Sequence, residues 1–156
     1  MILILLMLLR ERLSAAEDHE HDQDQEQESL KESNAPMEKI RLSDKFASFT
    51  EHWRPKIVGE LNGQEVKVVK FKGEFLWHHH EHEDEMFLVW RGRMRVEFRD
   101  HAIELEPGEF LIVPHGIEHR TVADEEVEVV LFEPAETKNT GNRSDDRFTA
   151  PAGVRI

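Results

Sequence analysis

From Lys56 to Phe132 the chain alternates apolar and polar residues in short runs, broken by Gly, Pro, Asn or Asp every eight to twelve positions. A period of two puts successive side chains on opposite faces of a strand, and short strands punctuated this way build a sandwich or a barrel. The first pair is the clearest: "KIVGEL", Asn62-Gly63, then "QEVKVVKF". An Asn-Gly pair suits a two-residue hairpin turn, where both central residues need positive φ. Further strands are expected at 75–80, 85–90, 93–98, 102–105, 109–113, 117–122 and 127–132. Turns are expected at Arg91-Gly92, Arg99-Asp100, Pro107-Gly108 and Pro114-His115-Gly116, with an acidic loop at 123–126. Upstream, "LSDKFASF" predicts one short helix with Ser43 or Asp44 as N-cap and Phe46 and Phe49 on one face. The fold class is therefore all-β with a short N-terminal helix.

Charge and composition exclude several functions. With 156 residues there is room for one packed domain. A formal net charge of −13 argues against nucleic acid as a partner and against docking on anionic lipid. There is no cysteine, so thiolate catalysis, disulfides and Cys-based zinc sites are out, and any metal must be held by His, Asp or Glu.

The chain divides into three segments at this level: 1–36, a barrel at 37–134 and a polar tail at 135–156 expected to wrap the outside or stay mobile. "MILILLMLL" is nine apolar residues, too few to span a bilayer but long enough for a signal-peptide core, with Ser14–Ala16 as a small-residue cleavage site. Arg10, Glu11 and Arg12 follow that run and no basic residue precedes it, so a start placed upstream of the working chain, at Met37, is the other reading. The first gives an exported protein and the second a cytoplasmic one. The acidic, Gln-rich stretch "EDHEHDQDQEQES" is expected to be disordered, with His19 and His21 solvated.

The stretch "FLWHHHEHEDEMF" at 75–87 holds four histidines and four acidic residues in thirteen positions. Strand parity puts His78 and His80 on one face and Trp77 and His79 on the other. A turn over 81–84 would return Glu85 beside the two imidazoles, and His119 follows the Pro114-His115-Gly116 turn. Three imidazoles and a carboxylate with a coordination position left open suit Fe(II), Mn(II), Ni(II) or Zn(II). His79, His82 and His115 read as solvated or turn residues, and His52 and His101 carry no signal; a His80-x-His82 pair remains an alternative. Leu76, Phe87, Val89, Met94, Val96 and Phe98 are expected inward. Arg93 and Arg95 share a face that would bind an anion if inward, and otherwise lie in solvent.

These spacings resemble the two motifs of the cupin superfamily. The first, G-x5-H-x-H-x3–4-E-x6-G, is matched by Gly73, then four residues rather than five, His78-x-His80, four residues, Glu85, six residues and Gly92. The second, G-x5-P-x-G-x2-H-x3-N, is matched by Gly108, Pro114, Gly116 and His119, with Ala123 in place of the closing Asn. The resemblance covers about residues 60–134 and implies a double-stranded antiparallel jelly-roll barrel with a metal near its mouth, held by His78, His80, Glu85 and His119. The run from Glu133 to Gly141 is similar to small one-domain cupins labelled mannose-6-phosphate-isomerase-like.

Two function classes follow. One is a metal-dependent enzyme on a small molecule, of dioxygenase, isomerase or lyase type, with Fe or Mn favoured over Zn or Ni. The other is a binding or sensing module without turnover. The ligand set does not choose the reaction, and no acid/base pair stands out apart from the metal ligands. The family resemblance further implies a homodimer, paired through the hairpin around Asn62-Gly63.

Overall fold

The computed structural model describes residues 38–156 apart from Ala152. The readings of residues 1–36, including His19 and His21, lie outside the described residues. Among those described, one helix, α1 (Leu42–Ala47), precedes seven strands: β1 (Lys56–Leu61), β2 (Gln64–Glu74), β3 (Glu85–Arg91), β4 (Met94–Glu97), β5 (Ala102–Leu105), β6 (Phe110–Val113) and β7 (Arg120–Pro134). All named ladders are antiparallel. The sheet runs β1-β2-β7-β3-β6, and β4 joins β5 to the first part of β7. The result is the antiparallel jelly-roll barrel that the motif resemblance implies.

The β1–β2 turn forms as expected. Asn62 (φ 53°) and Gly63 (φ 76°) are both left-handed, and Leu61 pairs with Gln64 across them. In contrast, the strands expected at 117–122 and 127–132 are one. The acidic residues Asp124, Glu125 and Glu126 lie within β7, exposed on its bend, so charge at these positions marks a solvent-facing corner rather than a chain break. That length matters, because the first part of β7 pairs with β4 and the rest with β3, while β2 runs beside both parts, which closes the barrel.

Parity sorts the core. Val69, Phe71, Phe87, Val89, Met94, Val96, Val127, Val129 and Leu131 face inward as one buried cluster, and Leu76 and Phe98 pack against it. Burying a side chain of this size is worth about 1.5–3 kcal/mol. The outer face of β2 and β7 is covered by α1 and the residues just after it, where Phe46 of the helix and Phe49 beyond it pack on Val68 and Val130. The helix begins earlier than expected, its N-cap two residues ahead of Ser43 and three ahead of Asp44. Arg41 is its N-cap and contributes no side-chain bond, while the Ser43 hydroxyl hydrogen-bonds Asp44. Packing of the two phenylalanines thus fixes the helix without a side-chain cap. Arg93 is largely exposed beside Glu106, and Arg95 bonds Glu97 and Asp124, so this pair lies on the outer side.

Candidate metal centre

His78, His80, Glu85 and His119 are between 1% and 4% exposed and converge inside the barrel. Residues 75–80 do not form the expected strand. They run extended, and the one bridge there joins His78 to His119 through reciprocal backbone bonds of 3.0 and 2.9 Å. The sequence reading needed a hairpin from His80 into β3, but Glu85 instead pairs with Val113 of β6. His80 is held through its carbonyl, which accepts the Gly116 N–H at 2.7 Å, so the Pro114-His115-Gly116 turn ties the two histidine segments together. Gly116 adopts φ 77°, the left-handed conformation that favours glycine.

Donor atoms of His78, His80 and Glu85 lie within 4.8 Å of one another. His80 Nε2 is 3.2 Å and His119 Nε2 3.5 Å from Glu85 Oε2. Two of the rings are oriented from behind: His78 Nδ1 meets the Leu76 carbonyl at 3.1 Å and His119 Nδ1 the Ile117 carbonyl at 2.9 Å. Each Nδ1–H donates, which leaves each Nε2 a lone pair turned inward.

Three buried atoms, His80 Nε2, Glu85 Oε2 and His119 Nε2, have no hydrogen-bond partner. Leaving such atoms unpaired costs about 1–3 kcal/mol each, and a bound cation is one partner that would relieve that cost. The donors present fit a divalent ion. Electrostatics agree. Burial, with His119 beside it, lowers the His78 pKa to about 4, so its imidazole is neutral. Burial also opposes charge on His80, but the Glu85 carboxylate outweighs it and raises that pKa. Glu85 is likewise penalised by burial, yet His119 and His80 hold it well below the usual carboxylate range.

The remaining histidines are separated from this cluster. His115 is exposed and pairs with Asp84 at 2.8 Å, His82 is exposed, and His79 uses its backbone. Trp77 points outward, stacked under Arg99 at 3.9 Å, which keeps its neighbour His78 turned in.

Sequence reasoning missed three parts of the site. Trp53, at φ 62°, stacks on Phe71 and Phe75 at 4.6 and 4.9 Å and walls the pocket beside His78 and Glu85. The polar tail is a strap. The Asn142 N–H donates to the His79 carbonyl at 2.9 Å, Asn142 Oδ1 accepts the His79 N–H at 3.1 Å, and Gly141 (φ 49°) packs so closely on His79 that a Cβ would collide with its carbonyl. Its only sequence signal was the Asn139-Thr140-Gly141 run. Third, Lys67 sits 3.0 Å from Glu65 and 2.9 Å from Glu133, all buried. Two carboxylates share one ammonium. Burial and the nearby Glu85 charge push the Glu133 pKa up to about 7, while Lys67 remains charged.

The sequence profile of the cupin domain matches residues 65–134. A cupin-2 domain protein from Shewanella frigidimarina NCIMB 400, known from a crystal structure, is 42% identical, with a TM-score of 0.60 over 61% of this chain and 93% of that one. The chain belongs to the cupin family. Protein NMB1881 of Neisseria meningitidis is 30% identical to this cupin, with a TM-score of 0.58 over 63% of this chain and 100% of the other. The uncharacterized protein YdbB of Bacillus subtilis (strain 168) is 33% identical over 81 residues, 51% of this chain and 66% of its own length. Among the described residues, no helix of this cupin is long and apolar enough to cross a membrane.

Proposed function

We propose that this cupin is a metal-dependent enzyme acting on a small organic molecule, with the ion held by His78, His80, Glu85 and His119. The observation that carries the reading is the set of buried, unpartnered donor atoms converging from three separate chain segments. Three imidazoles with one carboxylate suit Fe(II) or Mn(II), and Zn(II) or Ni(II) share the donor preference. When bound, the ion would supply Lewis-acid polarisation or one-electron chemistry.

The chain's own residues narrow the reaction. Trp53, Phe71, Phe75, Phe87 and Leu131 exclude water, and Thr121 and Asn139 add the polar groups. Apart from His78 and Glu85, no side chain lining this pocket titrates, so an isomerisation by proton transfer lacks its acid and base there. Oxidation of dioxygenase type needs neither, and is favoured. The inner cavity is only about 20 Å³, enough for one water, so the reacting end of the substrate must be compact. The same small volume favours the second reading, a module that binds or senses without turnover.

Oxygen uptake by Fe(II)-loaded protein across a panel of small organic acids, alcohols and phenols tests the choice. Substrate-dependent uptake abolished by a chelator supports the enzyme. Saturable ligand binding with no uptake and no product supports the module.

The protein is further read as a homodimer. Phe110 (58% exposed) and Ile112 (53%) stand on β6, which pairs only with β3 among the described strands. An open apolar edge strand is self-complementary about a two-fold axis, which favours this face over the β1–β2 hairpin.

A further inference from the structure

Behind Trp53 lies an open cleft of about 720 Å³, on the scale of small-molecule sites. Four cations line it, Arg54, Lys56, Lys72 and Arg147, with one carboxylate, Glu51. In a chain of net charge −13, a local excess of positive charge is the opposite of what composition provides.

The two guanidinium charges, Arg54 and Arg147, are not neutralised by a carboxylate among the described residues. Arg54 gives one N–H to the Thr149 carbonyl and one to the Arg147 carbonyl, both neutral acceptors, and keeps the rest of its fork. The Arg147 guanidinium rests on the Phe148 ring at 4.8 Å, and no carboxylate of the described residues pairs with it or with Arg54. Lys72 meets Glu125 at 3.2 Å, but that pair is exposed and water screens it. Lys56 is the one cation of the four balanced within the cleft, by Glu51 at 3.3 Å. Guanidinium forks match carboxylate and phosphate oxygens, and a cleft with apolar walls concentrates their field.

Trp53 and Pro55 line both this cleft and the inner pocket that holds His78 and Glu85. A ligand in the cleft is therefore one layer of side chains from the candidate metal centre. We propose that the cleft is a binding site for a small anion bearing carboxylate or phosphate groups, and that it captures the anionic end of the substrate. The capture role rests on the metal-centre reading; the anion site does not.

The test is calorimetric titration of chelator-treated, full-length protein with sodium phosphate and, separately, sodium malonate at low ionic strength. Saturable binding of at least one is expected, weakened tenfold or more in Arg147→Gln, restored in Arg147→Lys, and unchanged in Arg93→Gln, which removes a cation on the outer face. The stronger probe identifies the group preferred. No saturable binding of either probe overturns the site. So does equal weakening in Arg147→Gln and Arg93→Gln, which would report net charge alone, or saturable binding that ignores Arg147. Metal content measured on separate portions of the same proteins after reconstitution with Fe(II) or Mn(II) is independent, so failure of the cleft and failure of the metal centre are distinguishable.

Discussion

Glu133 carries a charge problem that a single residue can report. Its carboxyl is 1% exposed, shares Lys67 with Glu65, and is raised to about 7 by burial and by the Glu85 charge. A carboxyl whose folded pKa exceeds its unfolded value near 4.5 binds more protons in the folded state, so it costs stability as pH rises from about 4.5 through about 7. Glu133→Gln cannot ionise. In chelator-treated protein its stability relative to wild type is expected to rise by about 2 kcal/mol between pH 5 and pH 8, since one pKa unit is worth about 1.4 kcal/mol. Paired urea titrations measure this, and a difference independent of pH would show that Glu133 ionises normally. Trp53 gives a second residue-scale prediction. It stacks on two phenylalanines and meets Phe148 edge-on at 5.9 Å, so Trp53→Ala is expected to cost about 3–5 kcal/mol in thermal or urea denaturation.

The strap and the histidine segment depend on each other. Asn142 forms with His79 the two bonds that a ladder partner would otherwise provide, and His79 lies between the two histidines of the site. Asn142→Ala removes the Oδ1 bond and keeps the backbone one, and is expected to weaken metal binding by about 10-fold, the low end of what loss of a supporting bond around a ligand costs, with little change in the far-ultraviolet circular dichroism. Gly141→Ala adds strain at positive φ and a clash, and should also destabilise the fold by about 1–3 kcal/mol. Chelator competition measures the first effect and thermal denaturation the second; unaltered metal affinity in both variants would reduce the strap to a covering. The strap was hard to read because a polar, Gly-bearing segment has no hydrophobic period; its order comes from long-range bonds such as Arg54 to the Thr149 carbonyl. The β1–β2 hairpin was legible because Asn62-Gly63 specifies its own turn locally. The four converging side chains lay between these cases. Two fixed spacings identified them, but their contacts arise through the His78–His119 bridge and the Gly116 bond, not through the hairpin that spacing suggested.

At the scale of the whole molecule, β7 organises everything else. It pairs with β2, β3 and β4, so His119, just ahead of it, is placed by the same strand that closes the barrel. The acidic bend in β7 concealed this from a reading that treats charge runs as loops. The outer face of β3 and β6 predicts assembly: light scattering is expected to give a dimer mass, and Ile112→Glu, which puts charge on an apolar edge, is expected to give a monomer that still folds. A dimer that persists in the variant would move the interface elsewhere.

The central claim is that one divalent ion is held by four side chains inside this barrel. Elemental analysis of anaerobically purified, untagged full-length protein, after reconstitution with Fe(II) or Mn(II) and desalting, tests it most directly. Close to one equivalent in wild type and less than about a tenth of that in folded His80→Ala and His119→Ala variants is expected, because each removes a ligand and leaves the other donors buried and unpaired. Full retention of metal in both variants, or none in folded wild type, would contradict it.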